Sequence, residues 1–336
     1  MKRQKLKKKP HASWTTLLLA ILFPVMVQIL SSNTRGEKST PENALPKFWR
    51  RNKPAVLATM LGGLGNRLFT LAAAYAYCID NKLSDPLGFQ IQKFRDHSEW
   101  GGHPLEMKHA NFPRTLNGLF PKIDIQDFES YPNKVHRLDP PPYGPIHEFA
   151  DIHGINTDYI VFDGYWFSEE YFKKHRESIL AYLRPHKYVV DVIKKEYNDM
   201  KEDYYTIGMH LRLGHHADSF HFDRITPSFV ESSLRTIQSY FPLKKKDMRV
   251  IIVTDNESKA IKFATIAQKL NISLIFYKAE LYSELLMMSF CDSLIMSDST
   301  FSWWAAYLGN ISRPVLYDKK YERRAVKAML QSWIAI

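Results

Sequence analysis

Four short segments hold the polar residues that could do chemistry, and each stands where an apolar run meets a turn. The first is GGLGNRLF at 62–69, in which Gly63, Gly65 and Asn66 precede a helical pattern. Glycines at a strand-to-helix turn let backbone N–H groups approach a phosphate. The turn could also serve only to pack the helix on its sheet. A nicotinamide enzyme is a weaker alternative, because Leu68 replaces the third glycine of that fingerprint.

The second segment is IGMHLRLGHHADSF at 207–220, which ends an apolar run. Strand alternation places His210 and Arg212 on the same side, and the planar guanidinium of Arg212 suits a diphosphate. A structural salt bridge would satisfy the same arginine. The histidines of this segment lack the spacing of a zinc site, so no metal site is expected. The polar residues that follow are candidates for catalysis as a general base: His215, His216 and Asp218.

The remaining two segments are IIVTDNES at 251–258 and SDSTFSWW at 297–304. Asp255 follows an apolar run, where an aspartate either caps the next helix or accepts a hydrogen bond from a base or sugar. The turn at 297–304 offers hydroxyls and N–H groups to an anionic or hydroxylated ligand. The chain contains no Asp-x-Asp, the spacing that holds a divalent ion against a sugar-nucleotide diphosphate. Arg212 and backbone N–H groups are therefore expected to neutralise a diphosphate without metal.

These segments need a scaffold that brings them together, and 336 residues suffice for two core-forming units or one large one. In the second half, short β-rich runs such as MRVIIVTD at 248–255 alternate with helical runs. This alternation predicts a parallel sheet with helices on both faces, whose ligands bind beyond the carboxyl ends of the strands. The apolar run from Ala55, followed by a glycine turn and a helical pattern, predicts a βα opening. The stretch 85–150 has poor periodicity and yields no assignment.

The N-terminal residues differ in character from the rest. Trp14–Leu30 contains no charged residue, and six Lys and Arg stand within the nine residues at the start of the chain. This pattern predicts an uncleaved membrane anchor, with residues 1–13 as a cytoplasmic tail and 31–53 as a flexible stem. The body of the protein would then be lumenal. A cleaved signal peptide is the alternative.

The net charge of +11 does not indicate a nucleic-acid-binding protein. Residues 1–53 carry twelve Lys and Arg against two Glu, so they account for ten of the eleven charges. The body is therefore close to neutral and lacks the surface that drives affinity for nucleic acid.

A lumenal body would meet an oxidising, glycosylating environment. Cys78 and Cys291 either pair there or remain as buried thiols. Three asparagines stand in Asn-x-Ser sequons. Asn271 and Asn310 are expected to carry glycans, whereas Asn256 is expected to be unmodified because a glycan there would obstruct a pocket beside Asp255.

Together with VFDGYWFSEEYF at 161–172, the four segments resemble the alpha-1,2-fucosyltransferase family of nucleotide-sugar glycosyltransferases over about residues 56–317. The family's Gly-x-Leu-Gly-Asn loop is matched by Gly63, Leu64, Gly65 and Asn66. Its Gly-Tyr-x-x-Ser-x-x-Tyr-Phe segment is matched by Gly164, Tyr165, Ser168, Tyr171 and Phe172. Its Ser-Asn-Ser-Thr-Phe-Ser-Trp-Trp stretch is matched from Ser297 to Trp304, with Asp298 in place of the asparagine.

The resemblance implies a GT-B-like α/β fold of two Rossmann-type halves, with an acceptor-side half at 54–200 and a half that binds GDP-fucose at 201–336. It implies transfer to a glycan acceptor without metal and with inversion at the fucose anomeric carbon. It also implies a single-pass type II protein of the Golgi membrane, anchored through residues 14–30. The arginine of the family's His-x-Arg holds the diphosphate, which assigns that role to Arg212. The donor-binding residues implied here are Gly63, Gly65, Asn66, His210, Arg212, Asp255, Ser297, Ser299, Thr300 and Phe301.

Besides Asp298, the chain departs more seriously from the family in a second motif. Where the family reads His-x-Arg-Arg-Gly-Asp, the stretch from His210 to His215 lacks the second arginine and the aspartate. The loss of one charge-assisted contact to a diphosphate weakens binding by about 1.5–3 kcal/mol. The expected reaction is transfer of L-fucose to a sugar hydroxyl, the 2-OH of a galactose. The alternatives are a non-catalytic lumenal sugar-binding or assembly protein on the same fold, and a protein O-fucosyltransferase.

Overall fold

Two parallel β-sheets organise the part of the chain that the structure describes. The structure is a computed structural model, and it describes residues 53–91, 116, 119–128, 132–140, 156–214, 225–240, 247–310, 312–323, 330 and 332–336. The N-terminal sheet has the order β3-β2-β1-β5-β4, with β1 (Ala55–Thr59), β2 (Leu87–Ile91), β3 (Asp124–Phe128), β4 (Val135–Leu138) and β5 (Tyr159–Phe162). The C-terminal sheet has the order β11-β10-β9-β6-β7-β8, with β6 (Tyr205–Leu211), β7 (Met248–Thr254), β8 (Ser273–Phe276), β9 (Ser293–Ile295), β10 (Val315–Tyr317) and β11 (Ile334–Ala335). All strand pairs in both sheets are parallel, so the prediction of an α/β fold with parallel sheets is confirmed.

Helices accompany both sheets. Those of the described residues are α1 (Leu64–Asn81), α2 (Arg176–Tyr182), α3 (Lys187–Lys201), α4 (Pro227–Tyr240), α5 (Glu257–Lys269), α6 (Leu281–Phe290) and α7 (Thr300–Leu308). Short 3-10 turns occupy Glu169–Tyr171, Lys173–His175 and Lys319–Arg323.

The burial of strands and helices follows their sequence patterns. All five residues of β1 are buried, as expected for a strand in the interior of a parallel sheet. Four of them are apolar, and the hydroxyl of the fifth, Thr59, donates to the carbonyl oxygen of Phe162 at 3.0 Å. The helices instead bury one stripe. In α3, for example, the buried residues are Val189, Ile193 and Tyr197, which recur every fourth position and therefore lie on one face.

One aromatic cluster joins the two halves of the molecule. The ring of Phe69 in α1 lies 4.5 Å, centroid to centroid, from that of Trp303 in α7. Phe172, which follows β5, stacks on Trp304 at 5.8 Å. Both tryptophans are fully buried. Because these rings come from both halves, burying them fixes the beginning of α1 against the beginning of α7.

Three expectations from the sequence have different outcomes in the structure. The stretch 85–150, which yields no assignment by periodicity, contributes β2, β3 and β4. Cys78 and Cys291 are both buried free thiols, so the pairing alternative does not hold. The tail, anchor and stem at 1–13, 14–30 and 31–53 lie outside the described residues, apart from the last stem residue. Among the helices that the structure does describe, none combines the length and the apolar character needed to span a bilayer.

Candidate functional site

The carboxyl ends of three neighbouring strands bring the C-terminal motifs together. In the C-terminal sheet β6 lies between β9 and β7, with Leu211 in register with Thr254 and Met209 with Ile295. The loops after these strands therefore leave the sheet at one edge. They carry Arg212, Asp255 and the turn at 297–299. This edge is where ligands bind in open parallel sheets.

Asp255 holds the loop that follows β6. Its Oδ1 accepts hydrogen bonds from the backbone N–H groups of Leu213 at 2.7 Å and Gly214 at 2.8 Å. Its Oδ2 lies 3.0 Å from a terminal guanidinium nitrogen of Arg212. A Cβ on Gly214 would lie 2.7 Å from that Oδ2, so only glycine fits there without a shift. The aspartate thus anchors the loop and orients the arginine, while 36% of the Arg212 side chain stays exposed.

His210 stands beside this ion pair, buried and neutral. Its Nδ1 shares a 2.6 Å hydrogen bond with Oγ of Ser297, and its ring lies 5.2 Å from that of Phe301. Burial lowers the pKa of His210 from 6.5 to about 3, and the positive charge of Arg212 adds to this effect. His210 therefore cannot serve as an acid at neutral pH. It fixes the position of Ser297.

The turn at 297–299 leads into the N-terminus of α7. Ser299 is the N-cap residue, and its Oγ accepts a hydrogen bond from the N–H of Phe301 at 3.3 Å. Oγ of Ser302 donates to the carbonyl oxygens of Ser297 and Ser299, each at 3.0 Å. These bonds hold the turn in one conformation. The positive end of the α7 dipole consequently lies at the same edge of the sheet as Arg212.

The glycine loop of the N-terminal half meets α7 directly. Oγ1 of Thr300 donates to Oδ1 of Asn66 at 2.7 Å. A Cβ on Gly65 would lie 2.5 Å from the carbonyl carbon of Thr300, so glycine is required for this approach. Gly63 is the N-cap residue of α1, and a Cβ added there would meet nothing within 4 Å. The loop therefore has one packed side, at Gly65 and Asn66, and one open side, at Gly63.

The predicted donor-binding residues form three contacting groups along one junction. The groups are Arg212 with Asp255, His210 with Ser297 and Phe301, and Gly65 with Asn66 and Thr300. Ser299 is the N-cap of α7, the helix that carries Thr300 and Phe301. The candidate bases His215, His216 and Asp218 lie outside the described residues, so their assignment stays a prediction. Within the described ranges no group of three or more His, Cys, Asp or Glu side chains is arranged to hold a metal ion.

The three sequons differ in their surroundings. Asn256 caps α5, and its Oδ1 accepts from the N–H of Lys259 at 3.0 Å. Asn271 is exposed, with a left-handed φ of 57°, two residues after the end of α5. Asn310 is also exposed, and its Oδ1 accepts from the N–H of Ser312 at 3.0 Å. Asn271 and Asn310 are thus sterically open to a glycan.

Comparison with known protein families identifies the class to which the protein belongs. The model of glycosyl transferase family 11 matches residues 146–336, more than half of the chain. The protein belongs to glycosyl transferase family 11, and the resemblance drawn from the motifs is confirmed at that level. It is accordingly a sugar-transferring enzyme of the hexosyltransferase type, as expected.

A curated relative and two solved structures are similar to the chain. The relative is the alpha-1,2-colitosyltransferase of Escherichia coli, 21% identical over 298 residues that span 84% of this chain and 98% of that protein. One structure is an Arabidopsis thaliana FUT1 mutant in complex with GDP, at 13% identity and a TM-score of 0.47, over 94% of this chain and 80% of that one. The other is fucosyltransferase NodZ from Bradyrhizobium, at 14% identity and a TM-score of 0.45, over 76% of this chain and 94% of that one.

Proposed function

We propose that the protein transfers L-fucose from GDP-fucose to a sugar hydroxyl, the 2-OH of a galactose, with inversion at the anomeric carbon. The observation that carries the proposal is the Arg212 guanidinium, held at 3.0 Å by Asp255 at the carboxyl edge of the C-terminal sheet. A planar guanidinium with exposed N–H groups suits two adjacent phosphates. Family membership and the two-sheet architecture support a GT-B-like donor site between the halves.

The reaction breaks the bond between the anomeric carbon and the β-phosphate oxygen of the donor. The acceptor hydroxyl oxygen forms the new bond from the opposite face of the sugar, its proton passes to a base, and GDP leaves. Arg212 and the N-terminus of α7 stabilise the negative charge that develops on the departing diphosphate. Neutral His210 holds Ser297 in place and takes no part in proton transfer. The candidate bases for the acceptor proton are His215, His216 and Asp218.

The Escherichia coli relative supports a second candidate for the donor sugar. Its name describes alpha-1,2 transfer of colitose. We therefore propose that the linkage is alpha-1,2 in either case. Fucose is the first candidate for the transferred sugar, and colitose is the second. An assay with equal concentrations of GDP-fucose and a nucleotide-activated colitose, on one galactoside acceptor, distinguishes them by the mass of the product. Exclusive transfer of colitose would contradict the proposed donor.

Arg212 provides the test of the proposed site. Removal of a single charge-stabilising donor typically costs 10²–10³-fold in turnover, so Arg212→Ala should lower kcat/KM for GDP-fucose by at least about 100-fold. Arg212→Lys keeps the charge without the fork and should fall between that variant and the wild type. Arg235→Ala is the matched control, because Arg235 is exposed in α4 and pairs only with Glu231 among the residues described here. Thermal unfolding checks that each variant is folded.

Two outcomes would overturn the assignment. Unchanged turnover of folded Arg212→Ala would remove the arginine from the mechanism. Absence of GDP-fucose binding to the wild type in calorimetry would remove the donor. Transfer to a protein hydroxyl but to no glycan would instead identify a protein O-fucosyltransferase with the same donor site.

The cellular location is a separate proposal that rests on the sequence. Residues 14–30 are proposed to anchor the protein in the Golgi membrane, with the body in the lumen. Expression of the full chain with a C-terminal tag, followed by glycosidase treatment and peptide mapping, tests this. Glycans are expected on Asn271 and Asn310 but not on Asn256. An unglycosylated protein that extracts without detergent would contradict the proposal.

A further inference from the structure

Tyr165 is an exposed aromatic residue in otherwise buried surroundings. It follows β5 and is 45% exposed, whereas the neighbouring Phe162, Trp166 and Phe172 are almost fully buried. The other large apolar residues that are exposed in the described ranges lie on helices: Tyr188, Val192, Tyr240 and Ile261. In that set only Tyr165 stands at the carboxyl end of a sheet.

The ring of Tyr165 is held in a defined position. It stacks on Phe167 with centroids 5.0 Å apart and an angle of 17° between the rings. Phe167 in turn contacts Phe69 of the aromatic cluster, edge to face, at 5.8 Å. The stack therefore rests on the core that joins the two halves. A ring that is already fixed loses little conformational entropy when a ligand binds to it.

The backbone beneath the ring is equally constrained. Asp163 pairs with Arg137 and accepts a hydrogen bond from the N–H of Gly164 at 2.9 Å. Gly164 has a φ of +83°, a value that favours glycine, and its carbonyl accepts from Oγ1 of Thr70 in α1 at 3.2 Å. The indole N–H of Trp166 donates to the carbonyl of Asp163 at 3.1 Å. These bonds leave Tyr165 as the exposed tip of a rigid turn.

This turn adjoins the glycine loop and, through it, the proposed donor site. A Cβ on Gly62 would lie 3.2 Å from Cε1 of Tyr165 and 2.4 Å from Nδ2 of Asn66. Asn66 accepts the hydrogen bond from Thr300 at the start of α7. The ring thus stands on the N-terminal side of the junction whose C-terminal side carries the donor-binding candidates.

From this placement we propose that Tyr165, supported by Phe167, is the stacking platform for the acceptor sugar. The inference deepens the proposed function and rests on it. The axial 4-hydroxyl of galactose leaves the C–H groups at positions 3, 4 and 5 on one apolar face, and an aromatic ring can cover that face. Tyrosine provides a large, rigid contact that tolerates water around its edge.

Saturation-transfer NMR tests the platform without requiring turnover. It measures the binding of methyl β-D-galactopyranoside to the protein in the presence of GDP. In the wild type and Tyr165→Phe, saturation should be strongest on protons H3, H4 and H5. Tyr165→Ala should weaken galactoside affinity about tenfold, the effect expected for the loss of one stacked ring. GDP affinity should not change. Tyr188→Ala removes a similarly exposed tyrosine from α3 and serves as the control.

Three results would overturn the platform: wild-type galactoside affinity in folded Tyr165→Ala, an equal loss of GDP affinity in that variant, or no galactoside binding to the wild type. The proposed function fails separately. If Tyr165→Ala weakens galactoside binding but the wild type transfers no fucose, the donor assignment is wrong and the platform stands. If fucose is transferred and Tyr165→Ala keeps the wild-type KM for the galactoside, the platform is wrong and the function stands.

Discussion

Asp255 is predicted to act as a positioning residue for Arg212, and replacing it tests this directly. Asp255→Asn removes the charge but keeps Oδ1 as an acceptor for the N–H groups of Leu213 and Gly214. Asp255→Ala removes both. The ion pair with Arg212 is partly exposed, so its loss costs about 1 kcal/mol or less. The two amide hydrogen bonds contribute more, because bonds to a charged group are each worth about 1.5–3 kcal/mol.

These magnitudes predict that Asp255→Ala lowers the free energy of unfolding by about 3–6 kcal/mol. Asp255→Asn keeps two neutral hydrogen bonds, worth about 0.5–1.5 kcal/mol each, so it lowers the free energy of unfolding by about 2–3 kcal/mol. Two effects on catalysis oppose each other. Removing the carboxylate relieves its repulsion of a bound diphosphate, and solvent screens that repulsion because Asp255 is partly exposed. Misplacing Arg212 by about 1 Å costs up to about 100-fold in rate. Orientation therefore dominates.

The expected result for Asp255→Asn is a fall of about tenfold in kcat/KM for GDP-fucose, with a larger fall for Asp255→Ala. Steady-state kinetics with GDP-fucose, GDP calorimetry and denaturant unfolding measure the three quantities. Asp191→Asn is the control, because Asp191 loses only a surface ion pair with Lys187 in α3. A kcat/KM of Asp255→Asn equal to or above that of the wild type would show that Asp255 competes with the diphosphate, which refutes the positioning role.

Two further predictions concern stability. The folded state keeps His210 neutral with a pKa of about 3, so below pH 6.5 the unfolded chain takes up a proton that the folded chain does not. Between pH 7.5 and 5 the free energy of unfolding should fall by about 2 kcal/mol from this group. His210→Asn keeps a hydrogen-bonding side chain beside Ser297 and should remove that part of the pH dependence. Equal slopes would contradict the burial of a neutral imidazole. Gly65→Ala should destabilise the protein by about 1–3 kcal/mol, because its Cβ would lie 2.5 Å from Thr300. Gly63→Ala, whose Cβ would meet nothing within 4 Å, is the control, and equal stability of both variants would refute the contact.

The local sequence pattern was enough to predict those strands whose residue types match their buried positions. The apolar run of β1 and the alternation around β7 predict buried parallel strands, because such strands tolerate no polar face. The same alternation places Arg212 and Asp255 at carboxyl ends of strands. By contrast, β3 reads DIQDF, with no apolar run, and its pairing with β2 supplies what its sequence does not indicate.

The sequence by itself therefore determined the fold class, the family and the edge of the sheet at which the motifs gather. Only the tertiary structure decided how the motif residues are paired. Arg212 and Asp255 each stand directly after one of two adjacent strands, and the Asn66 to Thr300 hydrogen bond joins residues 234 positions apart. Neither contact leaves a local signal, because side-chain partners across a fold depend on strand register and helix packing. The pKa of His210 was likewise beyond the sequence, since burial sets it, and burial is a property of the assembled core.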